Sequence, residues 1–88
     1  MIEHLPSVDD PQRALEDAGL LPSAWSAPPH THFATHSHPR NKRLFVRSGE
    51  ISFNGELLRA PAAVRITAGT AHEAEVGPLG VECVEAFE

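Results

Sequence analysis

The dipeptide Asn54-Gly55 stands between two strand-like runs, Glu50-Ile51-Ser52-Phe53 and Glu56-Leu57-Leu58. A two-residue hairpin turn of the favoured hand needs positive φ at both central positions, and asparagine and glycine tolerate it best. The chain is therefore expected to reverse tightly here. Similar punctuation recurs at Pro28-Pro29, Pro39-Arg40-Asn41, Ser48-Gly49, Ala60-Pro61-Ala62-Ala63, Ala68-Gly69-Thr70 and Gly77-Pro78-Leu79. Short strands at even spacing with Gly or Pro between them predict an all-β chain, folded as a sandwich or a small barrel.

The strands follow from this punctuation. Leu44-Phe45-Val46 is apolar and ends at Ser48-Gly49, and Val64-Arg65-Ile66 alternates. The last two strands run from His72 to Val76 and from Gly80 to Phe87, split by Gly77-Pro78-Leu79. One helix is expected from about Pro11 to Ala18. Asp10 can cap it, Pro11 suits its first position and Gly19 its end. So short a helix is not stable alone and must pack on the outside of something larger.

The 88 residues suffice for one domain, 1–88, with a helical extension over 1–22 and a barrel over 23–88. So small a barrel has a modest core and much exposed edge, which predicts a homodimer through the N-terminal segment or an edge strand. The net charge of −5 argues against a nucleic-acid surface. No apolar run is long enough to cross a membrane, and the acidic N-terminus lacks the apolar core of an export signal. Cys83 is the only cysteine, which excludes an internal disulfide and fits a reducing cytoplasm.

Five of the six histidines lie between His30 and His72. The run from His30 to His38 alternates, so an unbroken strand would put His30, His32, His36 and His38 on one face. His36 and His38 would then sit with Cα atoms about 6.6 Å apart, close enough for both imidazoles to reach one ion. His72 follows the turn at Gly69 and is expected to enter beside them. The plainer reading makes these histidines core residues bonded to backbone carbonyls.

These residues resemble the cupin superfamily over roughly Trp25 to Phe87. The first cupin motif has two histidines one apart, a glutamate four residues later and a glycine seven beyond that. His36, His38, Lys42 and Gly49 stand at those positions. The second motif is matched by Gly69 and His72, with Thr67 where a proline is usual. The Asn54-Gly55 hairpin lies between the motifs, as in that family. The resemblance implies a small jelly-roll barrel with its site inside, often dimeric. It also implies a divalent metal (manganese, iron, nickel or zinc) held by His36, His38 and His72.

The main departure is Lys42 at the usual glutamate position. An ammonium has no lone pair for a metal. At ~5 Å it repels a dication by roughly 6–7 kcal/mol at an effective dielectric near 20. Either Lys42 points elsewhere, or it is neutral, or no divalent metal binds there. Three histidines alone can hold a metal with open positions.

Lys42, His32, Trp25 and Phe33 are the expected ligand-binding residues. Lys42 can pair with an organic carboxylate, or it can be a strand-edge lysine with its head in water. Trp25 and Phe33 read as core or pocket wall, and His32 as lining of the pocket mouth or solvated. His4 reads as a surface residue near a loose terminus. Cys83 reads as a buried apolar residue, and the glutamates of Glu82 to Glu88 as solvent-facing charge. Two functions follow. One is a binding module for a small polar or acidic ligand, with or without a metal. The other is a metal-dependent enzyme, a dioxygenase or an isomerase, working from a three-histidine site.

Overall fold

The computed structural model describes residues 1–88. Its elements are β1 (Ile2–Leu5), α1 (Pro11–Asp17), β2 (Ser23–Ala27), β3 (His32–His36), β4 (Lys42–Phe53), β5 (Glu56–Arg59), β6 (Ala62–Ile66) and β7 (His72–Phe87). The strands pair antiparallel in the order β1-β6-β4-β7-β2, with β3 also on β7 and β5 also on β4.

The two long strands organise everything else. Lys42 to Val46 of β4 pair with β6 on one side and with Cys83 to Phe87 of β7 on the other. Ile51 to Phe53 pair with β5 and with Ala74 to Val76 of β7. Each long strand thus serves both layers of a small jelly roll. The sequence alone suggests strand ends at Ser48-Gly49 and at Gly77-Pro78-Leu79, but both are bends within continuous strands. The β4–β7 register shifts between Val46 and Ser48 and again between Gly49 and Ile51, which are the bulges that allow the bend.

Gly49 is the tightest point of that bend. Its φ is +74°, and an added Cβ would lie 1.9 Å from the carbonyl oxygen of Gly80. The Asn54-Gly55 turn forms as expected, with φ of 51° and 82° joining β4 to β5.

The core is continuous across the layers. Leu44, Val46, Ile51, Phe53, Val64 and Cys83 belong to one buried cluster. The outer face of the β6-β4-β7 layer carries Phe45, Ala63, Val84 and Ala86, which pack with Leu15 of α1. Covering both faces explains why Leu44-Phe45-Val46 is apolar at successive positions rather than alternating. Asp10 caps α1 by accepting from the Arg13 N–H at 3.1 Å, and Pro11 occupies the first turn. Leu15 is 1% exposed, a burial that contributes about 2 kcal/mol and anchors an otherwise marginal helix. Cys83 is buried, as expected, and desolvation pushes its thiol up to about 12.

The N-terminus is not a loose end. Ile2 to Leu5 form β1, in register with Ile66 to Ala63 of β6, although His4 stays exposed. At the other end, the Glu88 carboxylate accepts from Arg65 Nε and Nη2 at 2.7 and 2.9 Å. It also accepts from Arg43 Nε at 2.7 Å and Asn41 Nδ2 at 3.2 Å. The Arg65 and Arg43 guanidiniums hold its carboxyl down to about 2.

Two expectations follow. Gly49→Ala should destabilise by about 2–4 kcal/mol and lower Tm by about 10 °C or more, since the clash is with backbone. A melting curve for that variant checks this. Glu88 has a folded pKa below its unfolded value, so its contribution is complete above about 4.5 and fades as pH falls toward about 2. Chemical denaturation across that window should show the loss in the wild type and a flatter profile in Glu88→Gln.

Candidate metal centre and ligand cavity

Three elements bring the histidines together. His36 closes β3 and His72 opens β7, and the two face each other as a cross-strand pair. His38 lies two residues beyond His36, and its carbonyl accepts from the Gly69 N–H at 2.8 Å. That bond ties the first histidine segment to the turn preceding the third histidine, where Gly69 takes φ +77°. The ring centroids are 4.4 Å apart for His36–His72, 4.9 Å for His36–His38 and 5.3 Å for His38–His72. One ligating nitrogen from each ring lies within 4.8 Å of the others. Metal–nitrogen bonds of about 2.1 Å impose separations of ~3.0–3.5 Å, so the rings would have to draw closer around an ion.

The outer hydrogen bonds orient two of the rings. His36 Nδ1 lies 2.7 Å from the Ala34 carbonyl, and His72 Nδ1 lies 2.9 Å from the Thr70 carbonyl. A carbonyl only accepts, so each Nδ1 carries the proton and each Nε2 keeps its lone pair. This is how metal-binding imidazoles are held. The plainer reading, histidines bonded to carbonyls, therefore describes the outer side of these two rings. It leaves their Nε2 atoms unspent, and it does not cover His38. The Nε2 of His38 is buried with no hydrogen-bond partner. An orphaned buried nitrogen costs about 1–3 kcal/mol, which a bound cation would offset. The donor set of three imidazoles thus fits a metal ion.

The electrostatics favour the neutral form of two of the rings, His38 and His72. Burial lowers the His38 pKa below its ordinary 6.5, helped by the positive charge of Lys42 and by the other two histidines. Burial also lowers that of His72, against the bond to Thr70 and with the help of His36 and Lys42.

Beside the histidines lies a cavity of about 190 Å³. Its walls include Trp25, Phe33, Phe53 and Leu44, with His36, His72 and Lys42 exposed to it. Trp25 and Phe33 meet edge to face at 5.6 Å. Lys42 is only 8% exposed, so it is not a strand-edge lysine reaching water. Its Nζ lies 3.3 Å from Glu85 Oε2 and 5.6 Å from the centre of the Phe87 ring. The Trp25 indole N–H donates to Glu85 Oε1 at 2.6 Å.

Glu85 is the residue that sequence reasoning missed. Read as solvent-facing charge, it instead lines the cavity as the partner of Lys42. Strand period provides the signal: Val81 and Cys83 face the core from β7, so Glu85, two residues further, faces the same way. Lys42 therefore stays inside the barrel, balanced by a carboxylate from the neighbouring strand.

His30 and His32 do not join the site. The run from His30 to His38 is not one regular strand, because the β3–β7 register shifts between Phe33 and His36. That shift turns Phe33 and His36 both toward the cavity and leaves His32 outside, where its Nε2 lies 3.4 Å from Glu73 Oε2. His30 sits in a turn with φ +64°.

No family model matches this sequence, and no curated protein matches it. Solved structures share its fold. A candidate acetylacetone dioxygenase from Methylibium petroleiphilum PM1 superposes with a TM-score of 0.68 at 18% identity, over 98% of this chain and 59% of its own. An acetylacetone dioxygenase from Acinetobacter johnsonii gives 0.68 at 17% identity, over 98% and 57%. An uncharacterised protein with a double-stranded β-helix domain from Klebsiella pneumoniae gives 0.66 at 24% identity, over 96% and 67%. The chain thus spans somewhat more than half the length of the two dioxygenases. The fold is a small cupin-type jelly roll, the double-stranded β-helix. With it comes a three-histidine cluster of the kind that can hold a metal.

Removing one ring should abolish most of any metal affinity. His72→Ala should weaken zinc binding by roughly a hundredfold or more, measured by calorimetry. Protons compete for the same lone pairs. Because the His38 and His72 pKa values are lowered, protons compete less at these two rings, and zinc affinity should fall as pH drops below the ordinary imidazole range.

Proposed function

We propose that this protein holds one divalent cation through His36, His38 and His72 and receives a small polar or acidic molecule in the adjoining cavity. The observation that carries this reading is the buried, unpartnered Nε2 of His38, facing the His36 and His72 pair. Manganese, iron, nickel and zinc are the candidate ions. When bound, the cation supplies Lewis acidity and open coordination positions. The chain supplies the rest. His36 and His72 are oriented by Ala34 and Thr70, Trp25 and Phe33 keep water from one wall, and Lys42 offers ammonium protons to an acceptor on the ligand.

A second reading is a metal-dependent dioxygenase. Its support is the three-nitrogen donor set with room for a ligand beside it, together with the acetylacetone dioxygenases among the similar folds. The binding reading is preferred because Lys42 and Glu85 are engaged with each other, leaving no free acid–base pair in the cavity.

The fold has no helix long and apolar enough to cross a membrane. A cytoplasmic homodimer is part of the proposal. It is supported by the single reduced thiol, Cys83, and by the edge strands β1 and β2 at the two ends of the main sheet. Sedimentation showing a concentration-independent monomer at micromolar levels would remove the dimer.

Elemental analysis of freshly purified protein should find about one transition metal per chain, and far less in His36→Ala. Oxygen consumption with acetylacetone then separates the two readings. No uptake by metal-loaded protein leaves the binding role, and uptake that requires His36 establishes the enzyme.

A further inference from the structure

Lys42 and Glu85 form the only oppositely charged pair in the cavity wall, and the pair has a property the histidines lack. Lys42 Nζ has three protons, and the one carboxylate near it is Glu85 Oε2 at 3.3 Å. The ammonium is nine-tenths buried and faces the cavity, so donors remain for an occupant. Glu85 is anchored from the other side by the Trp25 indole at 2.6 Å, which keeps its charge beside the lysine.

The charges select the occupant. Lys42 and Glu85 cancel, and imidazoles that ligate a metal carry no charge, so a bound dication leaves the cavity strongly positive. An anion is favoured there, and a cationic ligand is opposed. Lys42 is the only cationic side chain lining the cavity, so a second negative charge would find no side-chain partner. The volume of about 190 Å³ lies below the roughly 300–1,000 Å³ of drug-sized sites, which limits the occupant to a few carbons. The aromatic walls suit an apolar body.

We propose that the Lys42–Glu85 pair makes this cavity selective for small organic monoanions of the carboxylate type. Lys42 receives the anionic oxygen, and Glu85 keeps the ammonium and the dication compatible. The proposal rests on the metal reading above. It gives Glu85 opposite effects on two ligands: its charge strengthens metal binding, and the same charge competes with the organic anion for Lys42.

The test uses zinc alone, then propionate and its neutral isostere propionamide on zinc-loaded protein. Calorimetry measures affinity. Trp25, the only tryptophan, reports the cavity by fluorescence. In Glu85→Gln, zinc affinity should fall about tenfold or more while the preference for propionate over propionamide rises. Lys42→Met should sharply reduce the preference, leaving only what the dication confers. Breaking a buried pair can unfold a small domain. The double variant Lys42→Met/Glu85→Gln keeps the charge sum, so it should bind zinc within about threefold of wild type, while its preference for propionate falls well below that of wild type, to what the dication alone confers. The proposal is overturned if zinc binds through the histidines but propionate is not preferred in wild type or Glu85→Gln. It is equally overturned if the double variant prefers propionate as strongly as wild type does. Failure of wild-type protein to bind zinc would instead refute the metal reading. In that case a preference for propionate by the zinc-free protein that Lys42→Met removes upholds the role of Lys42, and its absence overturns it.

Discussion

The pairing of β4 with β7 is the constraint on which the rest depends. Both strands run through the two layers, and nearly every other element is paired to one of them. Their bend requires the backbones of Gly49 and Gly80 to approach more closely than any Cβ at position 49 would permit. From that bend one half of β4 carries Lys42 and Leu44, and the other half carries Ile51 and Phe53, to the same cavity. β7 does the same with His72 at its start and Glu85 near its end. Two residues thirteen positions apart on one strand reach one pocket only because the strand folds over.

The cavity is also a solution to an electrostatic problem. A lysine at position 42 would repel a dication if it faced the histidines alone. Glu85 stands against it, held by Trp25, so the positive charge is matched within the wall. A buried pair of this kind adds little to stability when complete, and losing one partner costs about 3–5 kcal/mol. The arrangement thus favours keeping both residues or neither, and it leaves the three imidazoles as the only neutral lone-pair donors facing inward.

Much of this was legible in the amino-acid order because it is local. Asn54-Gly55 dictates its own turn, Asp10-Pro11 starts its own helix, and the short runs between Gly and Pro can only be strands. His36, His38 and His72 were singled out because their spacing from Gly49 and Gly69 matches a known two-motif pattern. The misreadings have a common source. Gly49 and Gly77-Pro78-Leu79 look like strand ends because a bulged bend and a true turn use the same residue types. The alternation from His30 to His38 would put all four histidines on one face only in an unbroken strand, and a register shift between Phe33 and His36 interrupts it.

The chain's own sequence determined the strand-rich character, the hairpin, the capped helix and the set of histidines. These depend on backbone preferences and on residue types a few positions apart. Only the tertiary structure decided that Lys42 meets Glu85, that Trp25 holds that carboxylate, and that His38 keeps an unpartnered nitrogen. The first two arise from antiparallel register between strands more than forty residues apart, and the third from the contact of the His38 segment with the turn at Gly69. Register is set by the whole buried face of each strand rather than by any single residue.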